Sequence, residues 1–330
     1  MTTSHAIRIH ATGGPEEMRW EEVEVGDPGP GEVRIRHGAI GLNFIDVNQR
    51  SGAYPLRELP VTLGMEGMGA VEAIGPGVSD FAEGDRVTYC MMLGSYAERR
   101  LIQCDRLIKL ADGISDETAA AATLKGLTAH YLVRELYPVK LGNTVLVHAA
   151  AGGVGLLLCQ WAKHLGATVI GTVGNADKAA LAASHGCDHP ILYRKINFAE
   201  AAMDLTQGKG VNAIYDAIGK DTFDKGIDVL AERGWMVSYG QSSGPTPLLQ
   251  TTRLAPKGLN VTRGGLACFV KDPIQRSRNA AELFKLIADG ALRIEINQRY
   301  GLRDAARAHA DLEDRRTTGS TILIPGAQIC

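Results

Sequence analysis

The sequence predicts a mixed α/β protein of two domains, one made of short strands and one with a doubly wound parallel sheet. Three observations predict it. At 330 residues the chain is longer than one average domain of about 150 residues requires. Its first third breaks into short apolar stretches between turn formers, and from about Lys125 the rhythm becomes strand, then helix, repeatedly. Glycine is in excess, 39 residues or about 12% against a usual value of about 7%. Glycine adds no core volume, so the excess points to tight turns and close backbone approaches.

Taken in order, EVRIRH (32–37) alternates apolar and polar residues, GAVEAIG (69–75) does so more loosely, and DRVTYC (85–90) follows a glycine turn. GGPEE, GDPGPG and GPGVSD stand between them as turn formers. Short strands at such spacing, up to about Leu124, suggest a partly open barrel or sandwich. Then TVLVHA (144–149) leads into VGLLLCQWAKHLG, TVIGTVG (168–174) into NADKAALAASHG, and NAIYDAIG (212–219) into a helical stretch ending near Glu232. WMVSYG (235–240) and LNVTRGG (259–265) read as further strands. Apolar strands alternating with helices imply a parallel sheet covered on both faces. In the first of these helices Val154, Leu157, Leu158, Trp161 and Leu165 recur at helical spacing, with Leu156, Cys159 and Ala162 on the other faces, so it is expected to be mostly buried. An amphipathic helix (278–292), a charged helical segment (303–316) and the strand STILIP (320–325) close the chain and are expected to return to the first domain.

Bulk numbers exclude several function classes. With 35 basic and 37 acidic residues and a pI near 6.5, there is no global electrostatic reason to bind nucleic acid or an anionic membrane. Cys90, Cys104, Cys159, Cys187, Cys268 and Cys330 are scattered without a C-x-x-C, which disfavours a disulfide framework and makes reduced, cytoplasmic thiols the expectation. The N-terminus lacks the basic-then-apolar layout of a signal peptide. The apolar run 145–162 is long enough for a membrane span, but its three glycines, His148 and Gln160 read better as strand, turn and helix.

The strongest local signal is Ala150-Ala151-Gly152-Gly153-Val154-Gly155, where a predicted strand enters a predicted helix. Aligned to G-x-G-x-x-G, Gly152 lets the backbone approach a pyrophosphate and Gly155 lets the helix pack close to the strand. The amides of the helix N-terminus then hold phosphate. Glycine turns also join ordinary β–α units; the strand before, the helix after and the next strand favour dinucleotide binding. At the end of that next strand an NAD enzyme carries an acidic residue for the ribose hydroxyl. Here the position is Gly174, Lys178 follows it, and Tyr193-Arg194-Lys195 form a second basic–aromatic cluster. These suit a 2′-phosphate, hence NADPH; the bland alternative is that Lys178 is a solvated helix residue beside Asp177.

With these residues in view, the chain resembles the zinc-independent quinone oxidoreductase (ζ-crystallin-like) family of the medium-chain dehydrogenase/reductase superfamily. The resemblance rests on GLNFIDVNQRSGAYP (41–55), GMEGMGAVEAIGPGV (64–78), GDRVTY (84–89), LKGLTAHYL (124–132), residues 148–174, YDAIG (215–219) and VSYGQSSG (237–244). It implies a GroES-like β-barrel catalytic domain from residues 1–125 and the returning 265–330, with an inserted Rossmann domain (126–264) that binds NADPH. It also implies a homodimer formed through the Rossmann sheets, for which an edge strand near 259–263 is available. The cofactor contacts expected are Asn43, the turn residues Ala151, Gly152, Gly153, Val154 and Gly155, and Tyr239, Gly240, Gln241 and Ser242 after the fifth strand; the resemblance implies Gly174, Lys178 and Tyr193 around the 2′-phosphate and Arg315 approaching from the C-terminal part.

Zinc members of the superfamily use Cys and His ligands. Met65 stands where GHExxG would place the histidine, and no cysteine lies near Asn43, so no metal is expected. Direct hydride transfer to an electrophile remains, which the cofactor carries while the protein supplies orientation. Asn43 is the first choice for contacting the nicotinamide or a substrate carbonyl. Tyr54 lines the pocket or packs, and is the candidate proton donor if the acceptor is an enone. Lys125 and Thr128 are read as positioning residues that begin the first helix of the cofactor domain. Asp46 and Arg50, at i and i+4, are expected to pair with each other as structural residues. Asn48 replaces a tyrosine of many bacterial relatives. His130 and His148 have no motif context, and His148 reads as a hydrogen-bonded core residue. The function expected is an NADPH:quinone reductase acting on a small-molecule quinone. The alternatives are an NADPH-dependent enone or alkenal reductase, and a non-catalytic structural or RNA-binding crystallin-like protein that keeps the cofactor fold.

Overall fold

The computed structural model describes residues 2–326. It contains two compact units: one holds residues up to 125, Lys271–Phe284 and 294 onward, and the other holds Gly126–Val270 and Lys285–Arg293.

The first unit begins with β1 (Thr2–Ile9), β2 (Arg19–Val25), β3 (Glu32–Leu42), helix α1 (Phe44–Ser51), β4 (Val61–Thr62), β5 (Glu66–Ile74), β6 (Arg86–Cys90), β7 (Arg99–Gln103) and β8 (Ile108–Lys109). β1 lies between β2 and β4, while β3 pairs antiparallel with both β5 and β7. The alternation of residues 32–37 has a direct consequence in β3. Val33 and Ile35 are fully buried with Val71, Val87 and Tyr89, while Arg34 on the other face pairs with Glu72 at 3.1 Å. α1 is entered through Asn43, whose backbone N–H donates to Asp46 Oδ2 at 2.8 Å, so an acidic residue in the first turn satisfies an amide just outside the helix.

Helix α2 (Asp116–Tyr131) departs from the strand rhythm expected up to Leu124. It begins nine residues before Lys125, so Lys125 and Thr128 lie inside it and not at its start. Ala119, Ala120, Ala121 and Ala122 are all fully buried. A helix buried on every side has no polar face, and so leaves no periodic signal to read.

The second unit is a six-stranded parallel sheet. Its elements are β9 (Thr144–Val147), α3 (Gly153–His164), β10 (Thr168–Val173), α4 (Ala176–Ala183), β11 (His189–Leu192), α5 (Phe198–Leu205), β12 (Val211–Asp216), α6 (Phe223–Asp228), β13 (Leu230–Ser238), β14 (Asn260–Arg263) and α7 (Leu266–Phe269). The spatial order is β11-β10-β9-β12-β13-β14, the doubly wound order of dinucleotide-binding sheets. Leu146, Ile170, Ile214 and Met236 of the strands pack with Phe198, Phe223 and Ile227 of α5 and α6. The helical stretch expected to reach Glu232 stops at Asp228, and Glu232 lies in β13. Four-residue β11 is too short to show a period, and neither it nor the eight-residue α5 was expected from the sequence. α3 is buried from Gly155 to Ala162, as its all-round apolar sequence predicts.

The first unit also holds α8 (Pro273–Ala288) as far as Phe284, β15 (Ile296–Gly301), α9 (Ala305–Glu313) and β16 (Ser320–Ile324). Pro273 at the helix start, where the absent N–H costs nothing, places α8 five residues ahead of the expected Arg278. β16 pairs antiparallel with β3, Ile322 opposite Gly41. Ile40, Leu42, Leu63, Ala305, Ala308 and Leu323 make a second core there. Among the described residues no helix is long and apolar enough to cross a membrane. Cys330 lies outside the described residues; the other five cysteines are unbridged.

Candidate functional site

The glycine turn joins β9 to α3. Gly152 N–H bonds Ala149 O at 2.9 Å and Leu156 N–H bonds Gly152 O at 2.9 Å. The amides of Gly153, Val154 and Gly155 therefore precede the first helical bond and lie at the positive end of the helix. A Cβ on Gly155 would sit 2.2 Å from Ala149 O, so only glycine lets α3 come this close to the strand end. At Gly152 the corresponding distance is 3.2 Å. Ala151 is buried beneath the turn. Bare amides at an apolar helix start fit a pyrophosphate.

At the end of β10, a Cβ on Gly174 would lie 3.5 Å from Tyr193 Oη and 3.8 Å from Arg194 Nε. A hydroxyl and a guanidinium thus stand beside a glycine, at the position where an NAD enzyme carries an acidic residue. Lys178 lies in the first turn of α4, its amide capped by Asn175 Oδ1 at 2.9 Å. Arg194, read in the sequence as part of the basic–aromatic cluster that suits a 2′-phosphate, joins Tyr193 beside Gly174 and so adds to the candidate phosphate contacts. The third strand end is that of β13. Tyr239 N–H bonds Asp216 O at 2.9 Å, Ser242 N–H bonds Ala217 O at 3.1 Å, and a Cβ on Gly240 would lie 2.6 Å from Ala217 O. Arg263 donates to Ser238 Oγ at 3.0 Å and to Gln241 Oε1 at 3.3 Å, fixing that loop. The turn, Gly174 and residues 239–242 all follow the carboxyl ends of parallel strands, the edge where such sheets bind ligands.

In the first unit the polar candidates gather around a carboxylate that the sequence reading missed. Glu66, at the start of β5, is fully buried. Its Oε2 accepts from Asn43 Nδ2 at 2.8 Å and lies 3.6 Å from Lys125 Nζ, and its Oε1 accepts from the Leu124 amide at 2.6 Å. Lys125 Nζ also donates to Leu42 O at 3.1 Å. Burial pushes the Glu66 carboxyl up, against the Lys125 ammonium and the two N–H donors. The only sequence trace of this role is a lone charge within the otherwise apolar GMEGMG.

Asp46 and Arg50 do not pair as expected. Asp46 Oδ2 accepts from the Asn43 amide and from Tyr96 Oη at 3.1 Å, while Arg50 donates to Glu313 on α9 at 2.8 Å. The amide before α1 and the tyrosine take the carboxylate, and a residue of the returning chain takes the guanidinium. Tyr96 Oη also meets His309 Nε2 at 3.0 Å. Burial raises the Asp46 pKa to about 7 and lowers that of His309 to about 3. Tyr54 is half-buried, its amide bonded to Asn48 O at 2.8 Å. Thr128 is buried in the second-unit part of α2, and Arg315 is exposed just after α9. His148 is a core residue, with Nδ1 2.9 Å from Thr172 Oγ1. The Met65 sulfur accepts from Gln49 Nε2 at 3.3 Å. Among the described residues no cluster of three His, Cys, Asp or Glu side chains is placed to hold a metal ion.

Residues 29–135 match the family described as alcohol dehydrogenase GroES-like domain, and residues 153–285 the family described as zinc-binding dehydrogenase. A quinone oxidoreductase of Pseudomonas aeruginosa is 49% identical over 97% of this chain and 99% of its own length. A 2-haloacrylate reductase of a Burkholderia species is 43% identical over 98% of this chain and 99% of its own. The crystal structure of Escherichia coli quinone oxidoreductase complexed with NADPH superposes with a TM-score of 0.95 at 44% identity, covering 98% of this chain and all of that one.

Proposed function

Because the chain belongs to the quinone oxidoreductase family of the medium-chain dehydrogenase/reductase superfamily, we propose that it is an NADPH:quinone oxidoreductase working without a metal. The observation that carries the cofactor assignment is the end of β10, where Tyr193 and Arg194 lie beside Gly174, which occupies the position of the NAD enzymes' acidic residue. A ribose hydroxyl needs an acceptor, whereas a phosphate needs donors and positive charge. NADPH, when bound, supplies the hydride.

The protein binds and orients. The amides at Gly153, Val154 and Gly155 hold the pyrophosphate, and Lys178, Tyr193 and Arg194 hold the 2′-phosphate. Residues 239–242 and Thr128 serve the nicotinamide side, and Arg315 is assigned to the cofactor as well. Asn43 and Lys125 present N–H donors to an acceptor oxygen, with Tyr54 beside the same segment. One quinone, one hydride and one proton give one hydroquinone, so negative charge develops on a carbonyl oxygen before the proton arrives. Donors fixed where that charge develops lower the barrier without reorganising. We assign residues 1–125 and 265–330 to the acceptor domain and 126–264 to the cofactor domain, in a cytoplasmic homodimer.

The 2-haloacrylate reductase relative supports a second reading, hydride transfer to an activated C=C. Steady-state NADPH oxidation with 1,4-benzoquinone, with a simple enone and with 2-chloroacrylate separates the two. Turnover of benzoquinone with NADPH preferred over NADH is expected. Absence of NADPH oxidation with any quinone would overturn the first reading.

A further inference from the structure

Glu66 touches the two side chains, Asn43 and Lys125, that the proposed function gives to the acceptor oxygen. Its carboxylate fits because β3 carries glycine at position 41: a Cβ there would lie 2.2 Å from Glu66 Oε2 and 2.4 Å from Ala120 O. The same oxygen takes the Asn43 amide nitrogen and faces the Lys125 ammonium, and the other oxygen ties the group to the Leu124 amide on α2. An amide nitrogen has two N–H donors and an ammonium has three. After Glu66 and Leu42 O are served, each side chain retains a donor.

We propose that Glu66 is the positioning residue of the acceptor site, its carboxylate holding the Asn43 amide and the Lys125 ammonium so that their remaining N–H donors are presented to the acceptor oxygen. This rests on the reading that Asn43 and Lys125 meet the acceptor. A buried ammonium needs a counter-charge, and Glu66 is the carboxylate that faces Lys125. The other titratable groups whose charge bears on Glu66 are Asp46 on α1, Tyr89 and Cys90 on β6, and Tyr96 in the loop before β7. None of them is a cation that could replace Lys125.

The test uses Glu66→Gln and Glu66→Asp in the full chain, with whichever acceptor the wild type reduces. Glu66→Gln is expected to lower kcat/KM about 100-fold and to move the alkaline limb of its pH profile to lower pH. NADPH affinity, followed by fluorescence, should stay within about twofold of wild type. Glu66→Asp should restore the alkaline limb. On a Lys125→Met background Glu66→Gln leaves no unpaired buried charge, which guards against a single variant that fails to fold, and it should cost less than about fivefold, since the ammonium it served is gone. Wild-type kcat/KM and pH profile in Glu66→Gln, or an undiminished 100-fold cost on Lys125→Met, would overturn the proposal. A lowered Tm with unchanged kcat/KM per folded enzyme would do the same. A wild type that reduces only the activated alkene would refute the quinone reading and leave this test in place.

Discussion

A buried histidine favours the fold only while it is neutral. His37 bonds Ala97 O at 2.6 Å and Tyr89 Oη at 2.7 Å, and burial lowers its pKa to about 3, as it does for His309. Between that value and the unfolded 6.5, the unfolded chain binds a proton that the native protein refuses. Each histidine's contribution is therefore present above pH 6.5 and is lost as pH falls toward 3. Asp46 has the opposite sign. Its folded pKa of about 7 exceeds the unfolded 3.8, so its contribution is full below 3.8 and disappears as pH rises through 7. His309→Gln should thus remove one proton from the difference and flatten the dependence of unfolding free energy on pH by about 1.4 kcal/mol per unit between pH 6 and 4. Urea titrations at several pH values read this directly, and an unchanged slope would show His309 charged in the native protein. These residues also mark the limit of sequence reading. Gly155 was legible because the close approach of α3 to the strand end demands glycine there, and Gly152 because it stands in the same short motif. Glu66, Tyr96 and His309 were not, because their partners lie tens to hundreds of positions away. The same reason defeats the i,i+4 pairing of Asp46 with Arg50, since tertiary partners for both outweigh the local one.

At the scale of elements, the segment proposed to hold the pyrophosphate is β9, its turn and α3. Its strand, turn and helix each have a local signature, and the structure reproduces all three. Gly155→Ala tests the close approach. The added methyl must displace Ala149 O from 2.2 Å, pushing α3 off the strand and the phosphate amides with it. NADPH affinity should fall more than tenfold, with a loss of stability of about 1–3 kcal/mol from overpacking. Gly152→Ala, at 3.2 Å, should be milder. Isothermal titration with NADPH and thermal melts of both variants would check the order, and equal effects would contradict it. Helix α2 shows the converse case. Its alanines meet core on all sides, so the sequence offers composition without period.

At the scale of the molecule, the strand order leaves β14 as one edge of the second unit's sheet, where the edge strand was expected. Its exposed Val261 and unpaired outer backbone suit pairing with the same strand of a second copy. Light scattering on a gel-filtration column should give twice the 35.2 kDa chain mass, and Val261→Lys should shift the protein toward monomer. A wild type that elutes as a monomer would remove the homodimer from the proposed function.

The sequence by itself determined the class of fold, the glycine turn, the lack of a cysteine or histidine zinc pair near Asn43 and the glycine at position 174. Each depends on residues close together in the chain, where periodicity and backbone sterics act. Only the tertiary structure decided that Glu66 binds Asn43 and Lys125, that Arg50 reaches Glu313, and that β16 closes on β3. A buried charge is satisfied by whatever the folded chain brings to it, and no local pattern records which residue that will be.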